Sequence, residues 1–578
     1  MRKIALKTLA ALIIAFAVLP LIRISADTRI RQVSGNIVDV VNRSIYPGTL
    51  LIEGDKIKDI VKEENKDFNT FIIPGLIDAH VHTESSMLVP SEFAGLAVVH
   101  GTVATVSDPH EIANVLGVPG VEYMLANAAK VPFKFYFGAS PCVPATSFET
   151  SGARFDAAVI DSLLKRREIK YLSEVMDYPG VIRRDPEVMS KIAAAKKYRK
   201  PVDGHAPGLL GEDLKKYAAA GITTDHESYM YREGLQEAMI GMKVLIREGS
   251  AAKNFDALRN LIGKFPDSCM FCSDDKHPND LVNGHINQIV KRALASGFDK
   301  MTVLRCATYN PVKHYGLDVG LLQKGDPADF VVIDNFGNFN ILETYINGRL
   351  VAKEGRSLIS RVPIPVLNNF SAQERTKSDF KIKDRGGRVN VIEAIDGQII
   401  TRKGEYLPKV IDGYAVSDPD RDILKITVVN RYNDAPPAVA FVKNFGLKRG
   451  AIASSFAHDS HNVVAVGVSD EDLVKAVNLV IRNRGGLALA DGNREDLLPL
   501  PVAGLMSDQD GYLVADQYAR LDAEAKALGS NLRAPYMTLS FMALLVVPEI
   551  KLSDKGLFDA VNFKLIDLWV GQDGQGNG

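Results

Sequence analysis

Only four of the 578 residues are cysteine (Cys142, Cys269, Cys272 and Cys306), too few for a disulfide framework in so long a chain. Cys269 and Cys272 form a single C-x-x-C inside the apolar run CMFC, with no second pair at zinc-ribbon spacing, so they read as buried strand residues. A charge excess of either sign is also missing. Lys+Arg number 69 against 70 Asp+Glu, a formal net charge of −1. A nucleic-acid surface needs clustered positive charge, so no such partner is expected; a small, nearly neutral substrate fits better. There is no repeat and no low-complexity tract. What is present is an ordinary globular balance, 46% hydrophobic and 24% charged, over a length that supports two or three cores.

The one long apolar run, Thr8 to Ile22, follows three basic residues in Met1–Lys7 and precedes Arg23–Ala26. That is the order of a secretory signal, and the run is short for a membrane span, so no stable membrane partner is expected. A start-codon artefact, or a hydrophobic helix at the front of a cytoplasmic enzyme, would give the same pattern. Residues 1–26 are set apart as a candidate leader.

From Phe71 to Ser273, apolar β-branched runs alternate with helix-like stretches such as Asp161–Arg167 and Glu187–Tyr198. The runs are FIIPGLIDAHVH, TVATVSDPH, FKFYFGAS, IKYLSEVMD, PVDGHAP, ITTDHES, MKVLIREGS and CMFCSDD. Eight such units predict an α/β fold with a (β/α)8 TIM-type barrel; a doubly wound open sheet is the rival. β-rich segments flank them, so residues 27–73 and 308–362 are expected to join as a small β-sandwich domain around a barrel of residues 74–307. Residues 363–578 carry their own strand signals (LKITVVN, NVVAVGV, GGLALADG) and a helical stretch at Ala515–Leu528, and read as a C-terminal α+β domain.

Almost every run begins apolar and ends in His, Asp, Glu or Ser. In a barrel the C-terminal strand ends share one mouth, so these endings converge. His80 and His82, two residues apart on a strand, face the same side and can reach one metal. Glu174, His205, His226 and Asp274 add further endings. Burying so many ionisable groups unpaired is costly, and a bound metal pair removes that cost.

PGLIDAHVHTESSM resembles the first-strand signature of the amidohydrolase superfamily, and HTESSM, SDPHEIANV, DGHAPGL, TDHES and CSDDKHP resemble its adenine deaminase branch. SFAHDSHNVVAVG and LPLPVAGLMSD in the C-terminal region resemble the same branch, so the likeness runs from Asn36 to beyond Leu552. The resemblance implies hydrolysis of adenine to hypoxanthine and ammonia at a binuclear divalent centre, usually manganese or iron ahead of zinc, in a homo-oligomer such as a dimer. Carried over by position, His80 and His82 bind one ion, His205 and His226 the other. Glu174 bridges them where relatives often carry a carboxylated lysine, and Asp274 touches metal and attacking water. The run EVMD contains no lysine, and Lys170 begins that strand, at the wrong end.

The chemistry so implied has Asp274 take the water proton and pass it to the departing amine, while Glu227 or Glu84 protonates ring nitrogen N1. Glu84 has the alternative of orienting His82. His110 and Glu111 are candidates for metal or substrate contact. His458, Asp459 and His461 read either as a polar turn or as a segment that closes over the mouth to hold the purine. Asp275 is expected on the opposite strand face from Asp274. The zinc deaminases' H-x-E followed by P-C-x-x-C is only superficially present: most of a barrel separates His82-Thr-Glu84 from Cys269, and no proline precedes Cys269. A cyclic amide hydrolase and a metal-free scaffold are the remaining alternatives. The first is disfavoured by the missing lysine, the second by the presence of His80, His82 and Asp274.

Overall fold

The computed structural model describes residues 30–571; the candidate leader lies outside the described residues. Eight parallel strands follow one another in the central region: β1 (Leu76–Val81), β2 (Thr102–Ser107), β3 (Lys134–Ala139), β4 (Ile169–Val175), β5 (Val202–Gly204), β6 (Thr224–Asp225), β7 (Lys243–Arg247) and β8 (Cys269–Cys272). β1–β5 form one sheet and β6–β8 another, each in sequential order. A doubly wound sheet would reverse that order at a switch point, and none occurs. The Thr223 amide donates to Val202 O (2.9 Å) where β5 meets β6. A parallel bridge between Val81 and Asp274 brings the end of β8 back to β1. The strands therefore curl into a TIM-barrel-like arrangement, with C-terminal ends on one side.

The first apolar run is two strands. Phe71–Pro74 pairs with Phe330–Ile333 in the flanking sheet, and β1 starts after the break at Pro74-Gly75. Gly75 is needed for close approach: a Cβ there would lie 2.3 Å from Val103 Cγ2 on β2. The two β-rich flanks meet in one eight-stranded sheet. The expected sandwich is thus a single hydrogen-bonded sheet, whose edge strand Lys56–Lys62 returns to the 325–328 segment through Ile57 N to Asp326 O (2.9 Å). Residues alternate across it: Ile37, Ile72 and Phe330 form its own core, while Val38, Ile73 and Val331 pack with Cys269 and Phe271 of β8. Helix Tyr309–Tyr315, placed by the sequence in the β domain, instead joins β8, where Asn310 Nδ2 donates to Cys269 O (2.8 Å).

The C-terminal region centres on a second eight-stranded sheet, including Ile423–Val429, Ala451–Ser454 and Val463–Gly467. Helix Asp470–Arg482, capped by Ser469 accepting from Asp472 N, covers one face. Helices Gly511–Ala527 and Pro535–Phe541 lie toward the barrel, and the Ser507 amide donates to Met87 O (2.8 Å) across the junction. Among the described residues no helix is long and apolar enough to cross a membrane.

Candidate active site

All six sequence-expected ligands meet at the C-terminal strand ends, each at most 6% exposed. His80 and His82 share a face of β1 and its extension, with their Nε2 atoms 3.2 Å apart. Asp274 Oδ1 stands 3.5 Å from His80 Nε2 and 3.1 Å from His82 Nε2. Glu174, at the end of β4, spans the cluster: Oε1 lies 3.2 Å from His82 Nε2, while Oε2 lies 2.8 Å from His205 Nδ1 and 3.2 Å from His226 Nε2. Burial alone would raise the Glu174 pKa, but contacts to His110, His205, His226 and His82 outweigh it and hold the carboxyl well below the usual range.

This donor set fits a pair of divalent cations. Two imidazole nitrogens facing each other at 3.2 Å share at most one proton, and His80 Nδ1 and His205 Nε2 have no hydrogen-bond partner at all. One carboxylate with each oxygen aimed at a different histidine group is the arrangement of a bridging ligand.

Two residues that the sequence reading passed over organise the site. Arg247, at the end of β7, clamps Glu227 with both guanidinium nitrogens (Nη2–Oε2 2.9 Å) and donates from Nη1 to Asp274 Oδ2 at 2.5 Å. Burial would raise the Glu227 pKa, yet Arg247 and His205 hold it at about 2; Asp274 is likewise kept well below its usual range, burial being outweighed by Arg247, His80 and His82. Asp108, just beyond β2, accepts from Ser140 Oγ (2.5 Å) and Ser173 Oγ (2.8 Å) and sets Oδ2 3.1 Å from His110 Nδ1. The signal for Arg247 was an arginine closing an apolar run.

His110 and Glu111 do not end a strand; they open helix His110–Leu116, where His110 Nδ1 lies 3.2 Å from Glu174 Oε1 and Glu111 faces the C-terminal region. His458 Nδ1 lies 2.8 Å from Glu111 Oε1 and His461 Nε2 2.5 Å from Glu111 Oε2. The solvated-turn reading of that loop is therefore wrong: both histidines are buried. Glu84 is fully buried beneath helix His110–Leu116, where Oε1 accepts from Ile112 N (3.3 Å), and burial raises its pKa to about 8. It does not line the cleft. Asp275 departs from strand alternation because Asp274 adopts a left-handed φ of 54°. Its Oδ1 accepts from Ser85 Oγ (2.5 Å) on the cleft side.

The cleft itself has Met176, Ile399, Phe541 and Leu544 as its apolar wall. Ile399, Phe541 and Leu544 come from the C-terminal region, so the cleft is assembled from both parts of the chain.

Arg247→Gln should lower the melting temperature of chelated protein strongly. It strands two buried carboxylates, and breaking such a pair costs about 3–5 kcal/mol. Divalent cation should restore part of the loss, because an ion beside Asp274 replaces the missing positive charge; a melting temperature unmoved by the substitution would contradict this role.

Comparison with known proteins agrees with this geometry. The amidohydrolase family model matches residues 71–351, and that of the adenine deaminase C-terminal domain matches residues 398–564. An adenine deaminase of a Sulfurovum species is 56% identical over 537 residues, 93% of this chain and 99% of its own length. Those of Salinibacter ruber and Methanosarcina barkeri are 54% and 50% identical, again over 93% of this chain and 99% of theirs. Among solved structures, a β-aspartyl dipeptidase from Fervidobacterium islandicum is 16% identical at a TM-score of 0.43, over 57% of this chain and 98% of its own. By its near-complete coverage of such relatives at half or more identity, this chain belongs to the adenine deaminase family.

Proposed function

We propose that the protein hydrolyses adenine to hypoxanthine and ammonia at a binuclear manganese or iron(II) centre in the mouth of a closed (β/α)8 barrel. The observation that carries this reading is the buried six-ligand cluster opening on a cleft with one apolar wall, in a chain of this family. A role in purine salvage or catabolism follows from that substrate.

His80 and His82 would hold one ion, His205 and His226 the other, with Glu174 between them and Asp274 beside the first. Such a pair, when bound, supplies Lewis acidity and lowers the pKa of water held at the site. The rest is done by side chains. Arg247 keeps Asp274 and Glu227 as carboxylates, so both start the cycle as proton acceptors. Water adding to C6 sheds two protons. Glu227, which lines the cleft, carries one to N1; Asp274 carries the other to the departing amine, which leaves as ammonia. The ring keeps the proton on N1 and the oxygen on C6, which is hypoxanthine. Glu84, behind helix His110–Leu116, supports the loop and touches no substrate.

His80→Ala or His82→Ala should lose at least one metal equivalent and most activity, read by metal analysis alongside ammonia release. Full metal content with full activity in either variant would remove that histidine from the site.

A further inference from the structure

The cleft holds a second ring of donors that the deamination does not use. His110 and Glu111 come from the barrel side; His458 and Asp459 come from the loop between strands Ala451–Ser454 and Val463–Gly467. His110 Nε2 lies 3.3 Å from Glu111 Oε1 and 3.7 Å from Asp459 Oδ1. His458 Nδ1 lies 2.8 Å from Glu111 Oε1 and 3.6 Å from Asp459 Oδ1. The four donor residues all come within 4.8 Å of one another. Four ligands about 2.0–2.1 Å from a tetrahedral ion stand about 3.4 Å apart, and these separations bracket that value. They spread more widely, on both sides, than the 3.1–3.5 Å separations among His80, His82 and Asp274.

Ion pairing alone leaves this ring poorly satisfied. Of the donor atoms that face one another, His110 Nε2 and Glu111 Oε1 make no well-formed hydrogen bond, and all four side chains are buried. Dry, unmatched polar atoms are costly unless something else engages them. The surroundings already orient the donors. Asp108 Oδ2 faces Nδ1 of His110, the outer carboxylate that metal-ligating histidines commonly have. His461 Nδ1 accepts from Ala457 N (3.2 Å), which puts its ring proton on Nε2, beside Glu111 Oε2, and turns Oε1 toward the other three donors.

The geometry points to a third divalent-cation site, separate from the pair, in which His110 Nε2, Glu111 Oε1, His458 Nδ1 and Asp459 Oδ1 hold one four-coordinate first-row ion. Two imidazoles and two carboxylates around a tetrahedron suit zinc, and the two negative charges of the ligands balance its two positive charges. Because two ligands come from each part of the chain, the ion would fasten the C-terminal region across the barrel mouth and complete the cleft wall.

Crystals of the full chain loaded with Zn2+ and measured at the zinc absorption edge should show a third anomalous peak among these four side chains. In solution, dialysed parent protein should retain three equivalents of Zn2+, and His458→Gln and Asp459→Asn two each. If the ring instead contacts the purine directly, the parent will hold two equivalents, both variants will keep two, and KM for adenine will rise. That result, or a loaded parent crystal with no peak among the four residues, overturns the proposal. Should either variant fail to fold, the parent crystal still decides.

Discussion

Asp274→Asn is expected to keep most of its metal and still bind adenine while kcat falls by about 10²–10⁴, the usual cost of removing a general base. The substitution is nearly isosteric, and an amide oxygen can still face His80 and His82 where Asp274 Oδ1 now lies at 3.5 and 3.1 Å. What asparagine cannot do is accept a proton. Arg247 sharpens the expectation, because it holds Asp274 ionised in the parent. Metal analysis with steady-state kinetics separates the two roles: lost metal would make Asp274 chiefly a ligand, and near-parent turnover would remove it from the chemistry. Strand alternation suggests Asp275→Asn as an innocuous control, but the structure withdraws that use. The left-handed φ at Asp274 turns Asp275 toward Ser85 and His458, on the cleft side.

Glu174→Ala should be the most damaging single change, with both metal equivalents lost and deamination falling below detection. Its two oxygens divide between the histidine groups: Oε1 faces His82 and His110 at 3.2 Å each, and Oε2 faces His205 and His226. Removing it leaves four buried imidazoles without the anion that keeps them together, and like charges at this spacing repel strongly in a poorly solvated site. Glu174→Gln is the informative companion. It retains shape but loses half the bridging capacity, so one equivalent should remain bound. Two equivalents retained in Glu174→Ala would show that Glu174 is not the bridge.

Much of this site was legible in the sequence because the period-two rule and the polar strand ends are local signals. Alternation puts His80 and His82 on one face, apolar runs that stop at an ionisable residue pick out Glu174, His205, His226 and Asp274, and the family resemblance supplies their roles as ligands. Arg247 closes an apolar run in the same way, but its role was not legible, because a buried guanidinium is explained only by carboxylates from two other strands. Asp275 was misplaced because alternation assumes extended backbone, and Asp274 is not extended. Glu84 and Glu227 looked equivalent as acids; tertiary surroundings separate them, one paired with Arg247 on the cleft and one dry behind a helix. In the fold, no local cue in the run FIIPGLIDAHVH says that the chain changes sheets at Pro74-Gly75. The fate of His458 and His461 depends on contacts with Glu111, far away in sequence, which only the folded chain supplies.

The central claim is that this cleft deaminates adenine with bound divalent metal. Its most direct test follows ammonia and hypoxanthine together when chelated protein is given adenine, a panel of other purines and a cyclic amide, before and after manganese or iron(II) is restored. The expected result is no turnover without metal and, once metal is returned, one ammonia released per hypoxanthine from adenine. Undiminished adenine turnover in the chelated protein, or metal-restored hydrolysis of the cyclic amide with adenine untouched, would contradict it.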